Sequence, residues 1–440
     1  MNLFFKKLTG QLHSTEKMER HIMEEEARIA RYRQVEKSPE LKEYLELKKI
    51  VESKEFQQKK FNLTHTKYKS TPTYQTIREY KELLHNKMLQ LYLEMASSQR
   101  LKDYLAFRNS ENYIKLQSAK EVRNSLELKQ WAAFEKSKEY KSYLQYRDSK
   151  LPARFKQLVD EVATDEFKKQ HAFWSNPNRW RTTDEYQQEA RYKRLAAMTD
   201  IIFFLSQDTN EIEKMEKWHA TFVEEGEWLR LSESKWKAGF VYNNPKLLTQ
   251  HSFANEQQAN NGGKNVGTVD GKMQLFTKQE RVAARAWDAK KGFIKKDFDY
   301  TSDIIQTADS FRQKEGLFMV KLRVVGNIHH ACWLGSGTKT PMISIFHYNG
   351  KHITMGNYGQ RGFDGTVVRG ISAKAYYIYS LRWTERELIW YVNNIEVYRT
   401  SNDLPKEKLF LALSSFIDEK QRPEEGQLNV AWLRVFTQDK

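Results

Sequence analysis

The sequence predicts two folds in succession: an all-α half built as a repeat or bundle of short helices, then a β-sandwich. Three observations carry this. From about Met18 to Trp236 the chain is nearly free of Gly and Pro and rich in Glu, Lys, Leu and Tyr, a helical composition. Past Trp236 the period changes to alternation, and Gly, Asn and Asp punctuation sets in. From there to the end, strand-like segments follow one another with no helical pattern between them, as in a two-sheet sandwich. The expected domains are therefore 1–236 and 237–440, with the boundary near Lys235 to Phe240.

The helical half carries a recurring start signal. Ser38 is followed by Leu41, Tyr44 and Leu47, Ser98 by Leu101, Tyr104 and Phe107, Ser125 by Leu128, Trp131 and Phe134, and Ser137 by Tyr140, Tyr143 and Tyr146. Such a Ser or Thr accepts a hydrogen bond from an otherwise unpaired first-turn N–H, and Glu40, Glu127 or Glu139 suits the positive end of the helix dipole. Related starts stand at Ser53, Thr71, Ser110, Thr164 and Thr183; Thr71, Ser98 and Ser125 are 27 residues apart. This period reads as paired short helices that bury their aromatic stripes against neighbours. The rival arrangement is a few long helices with water-facing serines. In Trp174–Arg181, aromatics interleave with Arg as on a single-strand nucleic-acid platform. Asn176-Pro177-Asn178 reads more simply as a turn between helices.

In the second half, strands are expected at 272–277, 281–286, 303–307, 316–325, 329–335, 342–347, 352–356, 376–383, 387–392, 395–398, 408–415 and 427–436, with Asn393-Asn394 as a hairpin turn. The strand from Met342 organises the rest. Ile343 and Ile345 face a packed core, and Met342 and Ser344 face the open side of the sheet. On the neighbouring strand, Cys332 and Leu334 alternate inward and His329, Ala331 and Trp333 outward. Gly359–Gly365 reads as a flexible loop.

At this point residues carry a resemblance. Asn265–Met273, Asp303–Thr307, Glu315–Leu322, Ala331–Leu334, Leu381–Val392 and Val430–Phe436 follow one another in an order similar to glycoside hydrolase family 16, the laminarinase, lichenase and agarase group with a concanavalin A-like jelly roll. The resemblance covers roughly Phe240 to Lys440. It implies a polysaccharide cleft and a Glu-x-Asp-x-x-Glu motif on the strand matching Met342 to His347. Retaining hydrolysis needs two carboxyl groups about 5 to 5.5 Å apart. A strand supplies them from one face, with a bulge returning the last residue to that face. Here the three positions hold Met342, Ser344 and His347, or Phe346 in last place if the strand is unbulged. The implied reading is a non-catalytic, carbohydrate-binding or structural protein, a pseudoenzyme displayed on a helical arm, with no catalytic residue. The alternatives are a hydrolase of β-glucan or galactan with displaced acids such as Asp364, Asp303 or Glu385, and a basic nucleic-acid-associated protein.

Ligand-binding residues are expected at Trp333, for stacking on a sugar ring, with Met342, Ser344, His347, His352, Asn357, Tyr358 and Arg382 around it. Trp333 has an equally plain reading as packing between sheets. No cofactor is implied. His329, His330, His347 and His352 invite a metal, but consecutive residues on a strand point oppositely and no carboxylate lies close in sequence. The single cysteine, Cys332, sits in an apolar strand and reads as a buried hydrophobe.

The net charge of +16 suits polyanions without choosing among them, and its spread along the chain reads first as solubility. Expected partners are a polysaccharide or glycan at the cleft and proteins at the helical arm, with nucleic acid disfavoured. The first residues lack the continuous apolar run of a signal peptide and no apolar span is long enough for a membrane, so a cytoplasmic place, or one in a larger assembly such as a virion, is expected.

Overall fold

The computed structural model describes residues 2–225, 235–242 and 249–439. Its contacts divide the chain into two units, Gln34–Ser206 and Met1–Arg33 with Gln207–Lys440.

The first of these is helical, and its helices are short. Pro39–Val51, Lys54–His65, Pro72–Leu84, Gln99–Arg108, Leu126–Glu135, Lys138–Tyr146, Asp165–Ser175 and Asp184–Ala196 each begin at an anticipated Ser or Thr. In every one the hydroxyl accepts the backbone N–H three residues on, for instance Leu41 N on Ser38 Oγ at 3.2 Å. Ser110 instead precedes a 3₁₀ turn and makes no such bond. Large residues at the third, sixth and ninth positions fill local cores. One gathers Leu101, Tyr104, Phe107, Leu128, Phe134 and Tyr140. Trp174–Arg181 is packing in this unit: Arg179 lies buried under Trp174 and Phe56 meets Trp180 edge-on.

The second unit is the sandwich. In chain order its strands are β1 (Trp218–Glu225), β2 (Lys237–Ala238), β3 (Ser252–Phe253), β4 (Gln258–Asn260), β5 (Val266–Val269) and β6 (Lys272–Asp288). Next come β7 (Gly292–Ser302), β8 (Ile304–Gln306), β9 (Gly316–Val325), β10 (His329–Gly335), β11 (Met342–Asn349) and β12 (Ile353–Gly359). The last are β13 (Gly362–Val368), β14 (Tyr377–Trp383), β15 (Leu388–Val392), β16 (Ile395–Thr400), β17 (Phe410–Phe416) and β18 (Gly426–Gln438). The outer sheet runs β16-β15-β14-β9-β18-β6-β7-β4, with β1 on β18 and β3 and β5 on β6; the inner sheet runs β13-β12-β11-β10-β17-β8-β2. Phe318, Val320, Leu322, Trp383 and Trp390 of the outer sheet meet Cys332, Leu334, Ile343, Ile345, Phe346 and Leu411 of the inner one in a single core. Each such aliphatic side chain stabilises the fold by about 1.5–3 kcal/mol relative to exposure.

Three expectations are corrected by this arrangement. Residues 218–225, read as helical, are β1, which pairs along β18 from Trp218–Gln438 to Glu225–Trp432. Residues 1–33 fold with the sandwich: Leu3 donates its N–H to Arg369 O at 2.7 Å, Leu3 and Leu12 enter the core, and Thr15 Oγ1 donates to Tyr376 O. The expected boundary near Lys235 to Phe240 thus lies inside this unit. Gly359–Gly365, expected as a loop, runs into the edge strand β13, paired with β12 from Ile353–Val368 to Gly359–Gly362. The hairpin at Asn393-Asn394 is as anticipated; both residues have positive φ, 43° and 64°, as a primed turn requires.

Candidate functional site: the concave cleft

The site is made by one irregularity in the central strand of the inner sheet. Ser344 pairs with Gly356 and His347 with Thr354, so Ile345 and Phe346 together oppose Met355 alone. This is a β-bulge, and both of its side chains turn into the core. The carbonyl of Ser344, at the bulge, accepts Trp390 Nε1–H from the opposite sheet at 2.9 Å. The bulge restores parity: Met342, Ser344 and His347 all line a cleft of about 250 Å³ on the concave face. The bulged alternative of the sequence pattern is the one adopted, and Phe346 is core.

Trp333, Tyr358, Ala331, Ser414 and Phe416 complete the sheet side of the cleft, while Phe240, Glu256, Gln258 and Asn260 come from the preceding loops and the short strand β4. Trp333 donates its indole N–H to Ser414 Oγ at 3.3 Å and meets Phe410 edge-on. Its ring lies so close over Gly335 that a Cβ there would stand 2.4 Å from it, so only glycine leaves the ring its place. Ser344 is 3% exposed and its Oγ has no hydrogen-bond partner.

The imidazoles of the cleft are uncharged at neutral pH. His329 Nδ1 and His347 Nε2 lie 2.9 Å apart, so one ring donates and the other accepts, and His329 stacks on Phe416. Burial, with the neighbouring His329 adding to it, pushes His347 down to about 4. His330 points the other way, bonded to Ser415 Oγ at 2.7 Å, and burial pushes it down to about 3. Among the described residues no group of three or more His, Cys, Asp or Glu is placed to hold a metal ion.

The structure gathers Trp333, Met342, Ser344, His347 and Tyr358, and places the other three sequence-expected residues elsewhere. Asn357 sits opposite Ile343, fully buried, and its amide donates to the carbonyls of Asn402 and Asp403. His352 is exposed in the β11–β12 turn, where its N–H donates to Asn349 Oδ1. Arg382 is on the solvent side of the outer sheet, its guanidinium over Trp218. The acids considered as replacements are likewise engaged. Asp364 accepts Tyr398, Thr400 and Asn402 side chains, and Asp303 accepts the N–H groups of Asn261 and Asn265. Glu385 lines a separate depression with Thr384 and Lys406. Cys332 is wholly buried, and burial pushes its thiol up.

One residue sequence reasoning did not find is Glu256. Its Oε2 accepts Gln258 Nε2 at 2.6 Å, and Gln258 Oε1 in turn accepts Ile417 N–H. Burial, reinforced by the Asp418 carboxylate, outweighs that bond and Lys296 and pushes the carboxyl up to about 7. Among the described residues, Glu256 is the one Asp or Glu lining the cleft.

No family model and no curated protein matches the chain. Solved structures do match its C-terminal half. The laminarinase catalytic domain from Thermotoga maritima is 17% identical, with a TM-score of 0.40, over 51% of this chain and 99% of that one. The laminarinase from Rhodothermus marinus is also 17% identical, with a TM-score of 0.40, over 51% and 98%. The kappa-carrageenase from Pseudoalteromonas carrageenovora, solved with an oligotetrasaccharide of kappa-carrageenan, is 14% identical, with a TM-score of 0.39, over 50% and 96%. The likeness is one of fold alone, and the described strands of the C-terminal part form a two-sheet sandwich. No helix among the described residues is long and apolar enough to cross a membrane.

Proposed function

We propose that the concave cleft binds a carbohydrate and does not hydrolyse it. The observation that carries the reading is Ser344: a buried hydroxyl without a partner, aimed into a cleft that also presents the rings of Trp333 and Tyr358. A buried polar group left unpaired costs about 1–3 kcal/mol, which a ligand hydroxyl reaching it returns. A pyranose offers the matching chemistry, an apolar face for the rings and hydroxyls for Ser344, Ser414 and Glu256.

Hydrolysis by two carboxyl groups lacks its second member among the described residues. Glu256 is the one carboxyl they bring to the cleft, its pKa raised by burial to about 7, and the central strand offers Met342, Ser344 and His347 where carboxylates are needed. His347 is no substitute base, since Nε2 is taken by His329 and Nδ1 faces Thr354 Oγ1 at 3.4 Å. Among the described residues, the cleft's side chains also carry no Lys or Arg. The ligand of this reading is therefore uncharged, whatever the net charge of the chain.

The test is titration of the full chain with neutral and anionic polysaccharides at low and high salt. Saturable binding to a neutral glycan that survives salt, and that Trp333→Ala weakens at least tenfold with the melting temperature held, is the expected result. Binding confined to polyanions and abolished by salt would overturn it.

A further inference from the structure

The outer face of the outer sheet, turned away from the cleft, gathers three cations around a single ring. Lys272 Nζ on β6 and Lys321 Nζ and Arg323 Cζ on β9 lie 5.4, 5.6 and 5.0 Å from the centroid of Tyr376. Tyr376 is anchored through its backbone, since its carbonyl accepts Thr15 Oγ1–H at 2.7 Å. It stands just ahead of β14, and the sheet runs β14-β9-β18-β6, so the ring and the Lys272 side chain meet above β9 and β18.

Asn429 lies on β18 beneath that meeting point, paired with Gln274 of β6 and Arg323 of β9. Leu428 and Val430 on either side of it enter the core, so its amide is on the face that carries the cations. It is 1% exposed, and neither Oδ1 nor Nδ2 has a hydrogen-bond partner. Buried amides are nearly always bonded, so a donor and an acceptor left open side by side under three cations point to a ligand. Charge is left open as well. Glu19 of the helix Thr15–Glu36 accepts Lys321 Nζ on Oε2 and Trp432 Nε1–H on Oε1, each at 2.7 Å, which commits both of its oxygens. Glu16 of the same helix is held below the usual carboxylate range first by hydrogen bonds from its own backbone and Ser14, and least by Lys321. Among the described residues no carboxylate pairs with Lys272 or Arg323.

We propose that Lys272, Arg323 and Asn429 form a binding site for hydrogen phosphate. The dianion matches the two cations that have no carboxylate. Its bare oxygens accept from the guanidinium, the ammonium and Asn429 Nδ2–H, and its O–H donates to Asn429 Oδ1. Sulfate has no proton to give to that oxygen, and a phosphomonoester dianion has none either. The cations attract all three ions alike, and the amide selects the free phosphate. The cluster shares no residue with the cleft, so failure of either reading leaves the other standing.

The experiment is calorimetric titration of the full chain with sodium phosphate, sodium sulfate and phenyl phosphate at about pH 8, where all three are dianions, with sodium chloride holding the ionic strength constant. The expected result is saturable binding of phosphate, with sulfate and phenyl phosphate weaker by about tenfold or more. Lys272→Gln and Arg323→Gln each weaken phosphate by about tenfold or more and leave the melting temperature in phosphate-free buffer as it was. Asn429→Leu, which puts an apolar side chain of similar size in place of the amide, loses the preference for phosphate over sulfate. No saturable binding in the wild type, or phosphate affinity unchanged in both Lys272→Gln and Arg323→Gln, overturns the site. Sulfate or phenyl phosphate binding as tightly as phosphate, or the preference persisting in Asn429→Leu, overturns the assignment of hydrogen phosphate as its ligand.

Discussion

Replacing Glu256 by Gln should change the stability of the sandwich in a strongly pH-dependent way. In the native chain its carboxyl takes up a proton near pH 7, against 4.5 for an ordinary glutamate. The raised value means that native stability from this group is fully present below 4.5 and is lost as pH rises through about 7. The shift is 7 minus 4.5, or 2.5 units, and at 1.36 kcal/mol per unit it amounts to at most about 3 kcal/mol. A glutamine keeps an oxygen to accept Gln258 Nε2–H and never ionises beside Asp418. At pH 4.5 the variant and the wild type should therefore be nearly equal. By pH 8.5 the variant should be more stable by about 2–3 kcal/mol. Calorimetric unfolding of the full chain across that range separates the sandwich transition from that of the helical unit by which one the substitution moves. A stability difference that is flat in pH, or that favours wild type at high pH, would refute the argument that burial governs this carboxyl.

Other outcomes follow from the same geometry. Below pH 6.5 the unfolded chain protonates the imidazoles of His330 and His347, whereas the native chain resists until about 3 and 4; with both values lowered, stability is present above 6.5 and is lost as pH falls. Each contributes a slope of about 1.4 kcal/mol per pH unit, so acid unfolding of the Glu256→Gln variant, which lacks the offsetting carboxyl, should be steeper than wild type between pH 6.5 and 4.5. Ser344→Ala removes an unpaired buried hydroxyl and should raise the melting temperature slightly, by about 1 kcal/mol of stability, while weakening glycan binding several-fold. Loss of binding with no gain in stability would count against the hydroxyl's being held open for a ligand. Trp390→Phe leaves Ser344 O without its donor and should cost about 1–3 kcal/mol in urea titrations, with weaker glycan binding because the bulge that aims His347 is released.

The helix starts were readable because capping is local chemistry: a Ser or Thr bonds an N–H three residues away, and no distant partner is involved. Alternation likewise separated Cys332 and Leu334 from Ala331 and Trp333, and Ile343 from Met342 and Ser344. Its failures have a common cause. Parity tells which residues share a face but not what that face meets. Arg382 alternates properly with Leu381 and Trp383, yet its strand belongs to the outer sheet, so its outward direction is away from the cleft. Asn357 and Tyr358 are neighbours on one strand and point oppositely; Tyr358 lines the cleft and Asn357 pins the loop at Asn402 and Asp403. β1 was hidden because Trp218–Glu225 mixes charged and aromatic residues in a half-exposed strand, and only its register with β18 sets it there.

Glu256 is the sharper case. It lies in Asn255-Glu256-Gln257-Gln258, a polar run with no period, and it reaches the cleft because Gln257 and Gln258 bond the backbone of Ile417, Asp418 and Gln421, about 160 residues away. Nothing local announces such a contact. Its consequence bears on how the cleft works. A carboxyl contributed by the strand would have sat beside Ser344 and His347 on the sheet floor, opposite a second acid on the same face. Glu256 instead comes from the wall, with Oε2 committed to Gln258 and its charge opposed by burial and by Asp418. In the proposed reading the protonated form of this carboxyl donates a hydrogen bond to a sugar oxygen, and among the described residues no second carboxyl lines the cleft to act as nucleophile or base. In that reading the cleft meets its ligand with Ser344, Ser414 and the protonated form of Glu256, neutral groups that hold an uncharged ligand without the desolvation that a fixed charge would demand.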